Sequence, residues 1–227
     1  MDKASGAEHN LRTVDIPAGA VRLEGELGLP PGAVGVVAFA HGSGSSRHSP
    51  RNQFVAQALR KAGVGTLLMD LLTAQEERID AATGKLRFDI ELLTGRLMAA
   101  ADFLSRDAQT LKLPLGLFGA STGAAAALLA ASRRKHQVAA VVSRGGRPDL
   151  AGEALRNVRA PTLLIVGAED YSVVDLNRQA MTMLRCERRL VLAPGATHLF
   201  EEEGALEQVA QHAAEWFTTY LPRAITT

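Results

Sequence analysis

The chain has 227 residues, which fits one α/β domain with a buried central sheet and is short for two domains. Its formal net charge is +1, with basic and acidic residues interspersed, so charge gives no reason to expect nucleic acid or an anionic membrane as a partner. No segment resembles a signal peptide or is long and apolar enough to cross a bilayer, and the single cysteine, Cys186, is compatible with a reducing compartment. We therefore expect a cytoplasmic protein in which Cys186 is a structural, partly buried thiol.

The predicted elements follow a polar, small-residue stretch. We expect residues 1–11 to form a flexible tail and residues 12–222 to form a single domain. Residues 12–16 and 21–29 alternate apolar and polar side chains on either side of a Pro-Ala-Gly turn, which predicts an antiparallel hairpin. Nearly unbroken apolar runs then predict strands covered on both faces, with a last strand near the end of the chain: 34–40, 65–69, 115–118, 138–142, 162–166 and 189–192. Helical periodicity is found in the segments between them: 52–62, 88–104, 122–134, 150–158, 175–184 and 206–221.

This alternation of strand and helix predicts an α/β fold, an open and mostly parallel, doubly wound sheet of about eight strands flanked by helices. The opening hairpin could leave an edge that pairs with a second copy in a homodimer, or that edge could be solvated. Residues 71–87 are predicted to be one long irregular stretch. Its length suggests a loop that borders a site, although its charges are equally typical of a solvated surface.

A nucleophile-elbow pattern follows the predicted strand at 115–118. The sequence Gly119-Ala-Ser121-Thr-Gly123 leads directly into an alanine-rich helix former. A strained strand-to-helix turn of this kind exposes a serine above the sheet, and the small residues let strand and helix approach closely. Ser121 is therefore the candidate nucleophile, and an ordinary turn is the alternative interpretation.

A glycine-rich loop, His41-Gly-Ser-Gly-Ser-Ser-Arg47, follows the strand at 34–40. Such a loop can aim backbone amides at a developing oxyanion. We predict that the amides of Ser43 and Thr122 form the oxyanion hole, with Gly44 as the nearest alternative to Ser43. A surface turn or a phosphate-binding loop remains open, but the P-loop lysine and spacing are missing. His41 is expected to be a structural, hydrogen-bonding residue.

Two further loops supply a carboxylate and an imidazole. Asp170 follows the strand at 162–166 and His198 follows the last strand. An acid there can accept the imidazole Nδ1–H and orient a general base. Glu169 is a direct rival for this role, and Asp175 could cap the next helix.

These residues together resemble the α/β-hydrolase superfamily, and more narrowly the small, capless proteins grouped with dienelactone hydrolases. The resemblance covers nearly the whole chain. It implies hydrolysis of an ester or thioester through an acyl-enzyme, with Ser121, Asp170 and His198 as the triad and with no metal or organic cofactor. Dienelactone hydrolases proper have a cysteine at the elbow, where this chain has Ser121, so a general carboxylesterase is the expected activity. Lactone hydrolysis, acyl transfer and a non-catalytic binding module of the same fold are the alternatives.

The expected ligand is a small-molecule ester, bound at an open, shallow site, because residues 143–149 are too short to insert a cap. Gly42 and Gly44 are candidate substrate-binding residues on the oxyanion loop. Arg47, in a basic group with His48 and Arg51, and the pair Arg144 and Arg147 could hold an anionic group of the substrate. For Arg144 and Arg147, surface pairing with Asp149 or Glu153 is the alternative. An acidic ester is the expected substrate if both basic groups face the cleft.

Overall fold

An eight-stranded sheet forms the centre of the computed structural model, which describes residues 10–222. The strand order is β1-β2-β4-β3-β5-β6-β7-β8; β1 and β2 are antiparallel, β2 and β4 are antiparallel, and all other neighbours are parallel. The strands are β1 Asn10–Ala18, β2 Val21–Leu29, β3 Val36–Ala40, β4 Gly65–Met69, β5 Leu115–Ala120, β6 Val138–Arg144, β7 Thr162–Gly167 and β8 Arg188–Ala193. The predicted mostly parallel α/β sheet is confirmed.

The opening hairpin lies at one edge of this sheet. Its two strands pair from Ala18 and Val21 at the turn to Asn10 and Leu29 at the open end. The strand β1 therefore begins two residues before the predicted domain boundary, since Asn10 and Leu11 are paired in the sheet. The rest of the expected tail, residues 1–9, lies outside the described residues.

Helices cover both faces of the sheet, as the unbroken apolar strands require. The helices are α1 Pro50–Lys61, α2 Ala74–Thr83, α3 Ile90–Leu104, α4 Thr122–Arg133, α5 Tyr171–Met183 and α6 Ala205–Tyr220, with 3₁₀ helices at Leu86–Phe88 and Pro148–Asn157. One face packs against α1 and α6, where Phe39 and Phe118 stack with ring centroids 4.8 Å apart. The other face packs against α3, α4, α5 and the longer 3₁₀ helix.

The prediction of an irregular stretch at residues 71–87 is wrong, because α2 forms within it. Thr73 and Glu76 make a capping box: the Thr73 hydroxyl accepts from the Glu76 amide at 3.2 Å, and the Glu76 carboxylate accepts from the Thr73 amide at 2.8 Å. Gly84, in the left-handed conformation, ends the helix. Asp80 is the one residue of α2 that is fully buried. The helix therefore has no apolar periodicity from which it could be predicted.

A second departure is the helix predicted at 150–158. The structure has a 3₁₀ helix at Pro148–Asn157, interrupted at Gly152 with a φ of 52°. Leu155 is buried while Leu150 is exposed, so only part of the apolar pattern packs against the domain. No sizeable cap follows β6, as predicted.

The parallel strands β3, β5, β7 and β8 end at the same edge of the sheet, and the loops that follow them carry the predicted site. Within residues 10–222 no helix has the length and apolar character of a membrane span.

Candidate active site

Ser121 occupies the strained turn between β5 and α4. Its φ of 52° and ψ of −120° lie in a region that side-chain-bearing residues rarely adopt. Glycine is required on both sides, because a Cβ on Gly119 would lie 2.4 Å from the Ala124 Cα and one on Gly123 would lie 2.2 Å from the Ala40 carbonyl oxygen. The elbow expected from the Gly-x-Ser-x-Gly pattern is therefore present.

The loops after β7 and β8 bring a carboxylate and an imidazole together. His198 Nδ1 lies 2.6 Å from Asp170 Oδ2; the Asp170 side chain is 13% exposed and that of His198 is 41% exposed. Because a carboxylate accepts hydrogen bonds, the proton is on Nδ1 and the Nε2 lone pair is free to act as a base. Gly167 makes this contact possible, since a Cβ there would lie 2.3 Å from the Ala196 carbonyl oxygen.

The rival carboxylates have other partners. The Glu169 carboxylate accepts a hydrogen bond from the Tyr171 hydroxyl, in an exposed contact. Asp175 pairs with Arg178 on the surface of α5, with an N–O distance of 3.2 Å. Of the three carboxylates considered from sequence, Asp170 is the one that the structure places on His198.

The turn after β6 connects the elbow to the histidine loop. The Ser121 amide donates to the Arg144 carbonyl at 3.2 Å, and the Arg147 amide donates to the Ser121 carbonyl at 3.1 Å. Between them lies Gly145, with a φ of 50°; a Cβ there would be 3.6 Å from His198 Cε1. One short turn therefore hydrogen-bonds to the Ser121 backbone and lies beside the His198 imidazole. From the sequence, this turn was considered as a source of arginines and as too short to insert a cap.

The glycine-rich loop after β3 lies against the elbow. A Cβ on Gly42 would be 3.0 Å from the Ser121 Cβ, so a side chain there would crowd Ser121. The Ser43 hydroxyl is 3.1 Å from the Thr122 hydroxyl, so the two residues whose amides are predicted to form the oxyanion hole are in contact through their side chains. Thr122 is the first residue of α4, so its amide has no intrahelical acceptor. Gly44 is further out, with a φ of 67°, next to Arg87.

His41 anchors this loop, as expected for a structural residue. Its Nε2 accepts a hydrogen bond from the Leu71 amide at 3.0 Å, so Nδ1 carries the proton and donates to the Gly42 carbonyl at 2.9 Å. Burial lowers the pKa of His41, against the opposing effects of the Gly42 hydrogen bond and the Glu77 charge. The neutral ring ties the oxyanion loop to the segment that follows β4.

Arg47 is held by acidic side chains of the domain itself. Its guanidinium forms ion pairs with Asp70 and Glu24, and its amide donates to Asp70 Oδ1 at 2.8 Å. Asp70 is buried at the end of β4, where an unpaired carboxylate would be costly. These contacts give Arg47 a role in fixing the oxyanion loop rather than in binding a substrate.

The two arginines after β6 have different surroundings. Arg147 makes a bidentate pair with Asp149, at 2.9 and 2.7 Å, which is the surface pairing considered from sequence. Arg144, in contrast, has no side-chain hydrogen bond or ion pair with any residue that the structure describes, and its Nη1 atom is buried. Arg144 and Arg147, although close in the sequence, therefore do not bind an anion as a pair.

A cavity of about 590 Å³ opens beside the elbow. Its inner wall is the loop at residues 41–51 together with Thr122, and its outer wall is α2 with Arg87. The Asp80 carboxylate holds that wall, accepting from the Leu86 amide at 2.7 Å and from Arg87 Nε at 2.6 Å. Residues 71–87 therefore border this cavity, as they would if the segment lay beside a site. The Thr73-x-x-Glu76 pattern and Gly84 were the sequence signal for this wall.

A metal centre is not found in the described part of the chain: residues 10–222 contain no group of three or more His, Cys, Asp or Glu side chains that could hold an ion. Cys186 is half-buried, its Sγ 3.7 Å from the Thr162 hydroxyl, and burial raises the pKa of its thiol. This environment fits the expected structural thiol.

Comparison with known proteins points to one family. The model of the dienelactone hydrolase family matches residues 24–221. A crystal structure of dienelactone hydrolase from Anabaena variabilis is 56% identical, with a TM-score of 0.93 over 94% of this chain and 99% of that one. Est1E from Butyrivibrio proteoclasticus is similar in fold, with 15% identity and a TM-score of 0.77 over 95% of this chain and 99% of that one.

A curated relative from Mycobacterium tuberculosis H37Rv, named "Putative phosphoribosyl transferase", is 54% identical over 221 residues. The alignment covers 97% of this chain and 49% of that protein. The chain thus spans about half the length of the curated relatives it matches.

Proposed function

Because the chain belongs to the dienelactone hydrolase family, we propose that this hydrolase cleaves small carboxylic esters through an acyl-serine intermediate, as a carboxylesterase. The observations that carry the proposal are the 2.6 Å contact between His198 Nδ1 and Asp170 Oδ2 and the strained backbone of Ser121 at the strand-to-helix turn. A largely buried carboxylate that orients a partly exposed imidazole is the arrangement that activates a hydroxyl nucleophile.

In this mechanism His198 Nε2 takes the Ser121 proton as the hydroxyl oxygen attacks the ester carbonyl carbon. The oxyanion is stabilised by the amides of Ser43 and Thr122. The tetrahedral intermediate collapses, and the imidazolium gives its proton to the departing alcohol. Water then attacks the acyl-enzyme with His198 again as base, and the acid leaves. Side chains and backbone amides supply every group that this chemistry uses.

The elbow residue supports esters over lactones of the dienelactone type. The resemblance described above associates that lactone chemistry with a cysteine thiolate, and the nucleophile position here is a serine. A serine hydroxyl needs a base for activation, and the Asp170–His198 pair is positioned to orient one.

The name of the mycobacterial relative belongs to a protein about twice as long as the matched region. The groups assembled in the present chain are those of acyl transfer to a serine. We therefore assign ester hydrolysis to this half and no transferase chemistry.

The test is hydrolysis of p-nitrophenyl acetate and butyrate by the wild type and by Ser121→Ala, together with fluorophosphonate labelling located by mass spectrometry. We expect the variant to lose activity by about 10³-fold or more, and the label to be found on Ser121. Unchanged activity in the variant, or a label on another residue, would refute the nucleophile and favour a binding module of the same fold.

A further inference from the structure

Arg144 is a cation without a side-chain partner in the described part of the chain. It is the last residue of β6, half-buried, and its Nη1 atom is inaccessible to solvent with no acceptor among residues 10–222. The other two arginines considered as substrate ligands are satisfied, Arg47 by Asp70 and Arg147 by Asp149. A guanidinium is planar and presents five donors, and leaving a buried donor unpaired costs free energy. Arg144 is therefore the member of this group that has donors to offer a ligand.

Its position relates it to the nucleophile. The Arg144 carbonyl accepts the Ser121 amide, and Arg144 pairs with Ala120 in the β5–β6 register. Side chains alternate along a strand, and Ser143 points towards α4, since its hydroxyl and the Ala124 methyl both crowd the Cβ position of Gly146. The Arg144 side chain therefore emerges on the opposite face, the side of α1.

A second cation lies on that side. Arg51, in the first turn of α1, lines the cavity, and its Nε is also buried without a partner among the described residues. Burial, and then the charge of Arg51, lowers the pKa of Arg144 to about 10, so the Arg144 guanidinium stays protonated at neutral pH. Within residues 10–222, the carboxylate that makes an ion pair with either arginine is that of Glu201, which is 65% exposed and 3.2 Å from Arg51 Nη1. The two guanidinium groups thus share one exposed ion-pair partner.

We propose, building on the ester hydrolysis above, that Arg144 with Arg51 forms an anion subsite that binds a carboxylate or phosphate group of the substrate. The preferred substrate is then an acidic ester, whose anionic group supplies the acceptor that residues 10–222 do not provide for Arg144. A guanidinium binds both kinds of oxyanion in bidentate fashion, so the chemistry of the subsite is common to them.

The test compares anionic esters with neutral esters of the same shape. Monomethyl glutarate and methyl 4-phosphonobutanoate carry their charge on the acyl side and are compared with neutral methyl valerate. Acetoxyacetate carries its charge on the alcohol side and is compared with neutral propyl acetate. Hydrolysis is followed by pH-stat titration at low salt, and the readout is the ratio of kcat/KM for anionic over neutral ester. The glutarate and phosphonate arms separate carboxylate from phosphate recognition.

We expect the wild type to prefer an anionic ester in at least one pair. Arg144→Met should lower that ratio by about 10- to 100-fold, the effect of losing charged hydrogen bonds. The ratio for Arg144→Lys, which keeps the charge but loses the planar, bidentate guanidinium, should lie between that of the wild type and that of Arg144→Met. Arg156→Met, which removes an exposed arginine paired with Glu153, is the matched control and should keep the wild-type ratio. A wild type without preference, or a preference that survives Arg144→Met, would overturn the proposal.

Ion binding separates this inference from the proposed reaction. Glutarate and inorganic phosphate are titrated calorimetrically into the folded wild type, Arg144→Met and Arg144→Lys. Binding that depends on Arg144 supports the subsite even if no ester is turned over and Ser121 is not labelled, in which case ester hydrolysis alone fails. Turnover with no ion binding that depends on Arg144 would refute the subsite and leave the hydrolase intact.

Discussion

Gly123→Ala tests whether the elbow depends on contact between backbones. The added Cβ would lie 2.2 Å from the Ala40 carbonyl oxygen and 2.5 Å from that of His41. The closer contact is about 1 Å short of an ordinary C–O separation of about 3.3 Å. Both neighbours are backbone atoms at the end of β3, so no side-chain rotation can relieve the overlap.

The magnitude follows from two opposing terms. Overpacking usually costs about 1–3 kcal/mol, and a clash with backbone belongs at or above the top of that range, which we take as about 3–4 kcal/mol. Alanine in place of glycine within α4 returns about 1 kcal/mol of helix propensity. The net loss is about 2–3 kcal/mol, which for a chain of this size lowers Tm by about 4–12 °C.

Thermal unfolding followed by circular dichroism measures this shift, and the rate of fluorophosphonate labelling reports the displacement of Ser121 from the oxyanion loop. Gly95→Ala is the matched control, because Gly95 lies within α3 with no atom within 4 Å of a new Cβ. We expect that variant to be stabilised by about 0.5–1 kcal/mol. A Gly123→Ala protein with the Tm and labelling rate of the wild type would refute the close-approach argument.

Three other predictions follow from the site. Asp170→Asn should lower kcat by about 10³-fold or more with little change in Tm, because the amide cannot hold the productive tautomer of His198; steady-state kinetics measure it. The pKa of His41 is lowered in the folded chain, so below pH 6.5 the unfolded chain binds a proton that the folded chain does not, and stability is lost as the pH falls. His41→Gln should reduce that loss, which is measured by urea unfolding at pH 7.5 and 5.5. Arg47→Met should cost about 1–3 kcal/mol in urea unfolding, because Asp70 is left buried without its partner, and should leave the preference between anionic and neutral esters unchanged.

Each of these has a result that contradicts it. Glu169→Gln is the control for Asp170, the proposed triad carboxylate, and a loss of kcat equal to that of Asp170→Asn would contradict the assignment of this role to Asp170 by its contact with His198. Equal pH dependence of stability in the wild type and His41→Gln would show that the buried ring is not the group that titrates. A changed preference between anionic and neutral esters in Arg47→Met would show that Arg47 takes part in substrate binding.

The fold could be predicted closely because its central strands are buried on both faces. Val36–Ala40 and Thr162–Gly167 are buried at every position, and the helices between the strands have apolar stripes that match the core. The elbow could also be predicted from the sequence, because contacts between neighbouring elements require its glycines. Patterns that are local and tied to burial were therefore visible in the sequence.

What was not predicted depends on pairing between polar side chains rather than on apolar periodicity. The helix α2 is stabilised by caps and by the ion pair between Asp80 and Arg87, and its exposed side chains show no period. Arg47 is neutralised by Asp70, 23 residues away, whereas Arg144 has no partner among the described residues, yet both are arginines near predicted loops. Only three-dimensional neighbours distinguish a structural cation from one that is free to bind a ligand.

The outer wall of the cavity comes from a part of the chain that carries none of the proposed chemical groups. The segment between β4 and α3 encloses the cavity, while Ser121, Asp170 and His198 follow β5, β7 and β8. Insertions or substitutions in that segment can reshape the space for a substrate while the sheet continues to hold the reactive groups in register. Selectivity and reactivity in this domain can therefore diverge independently, and redesign for a new ester can begin at α2.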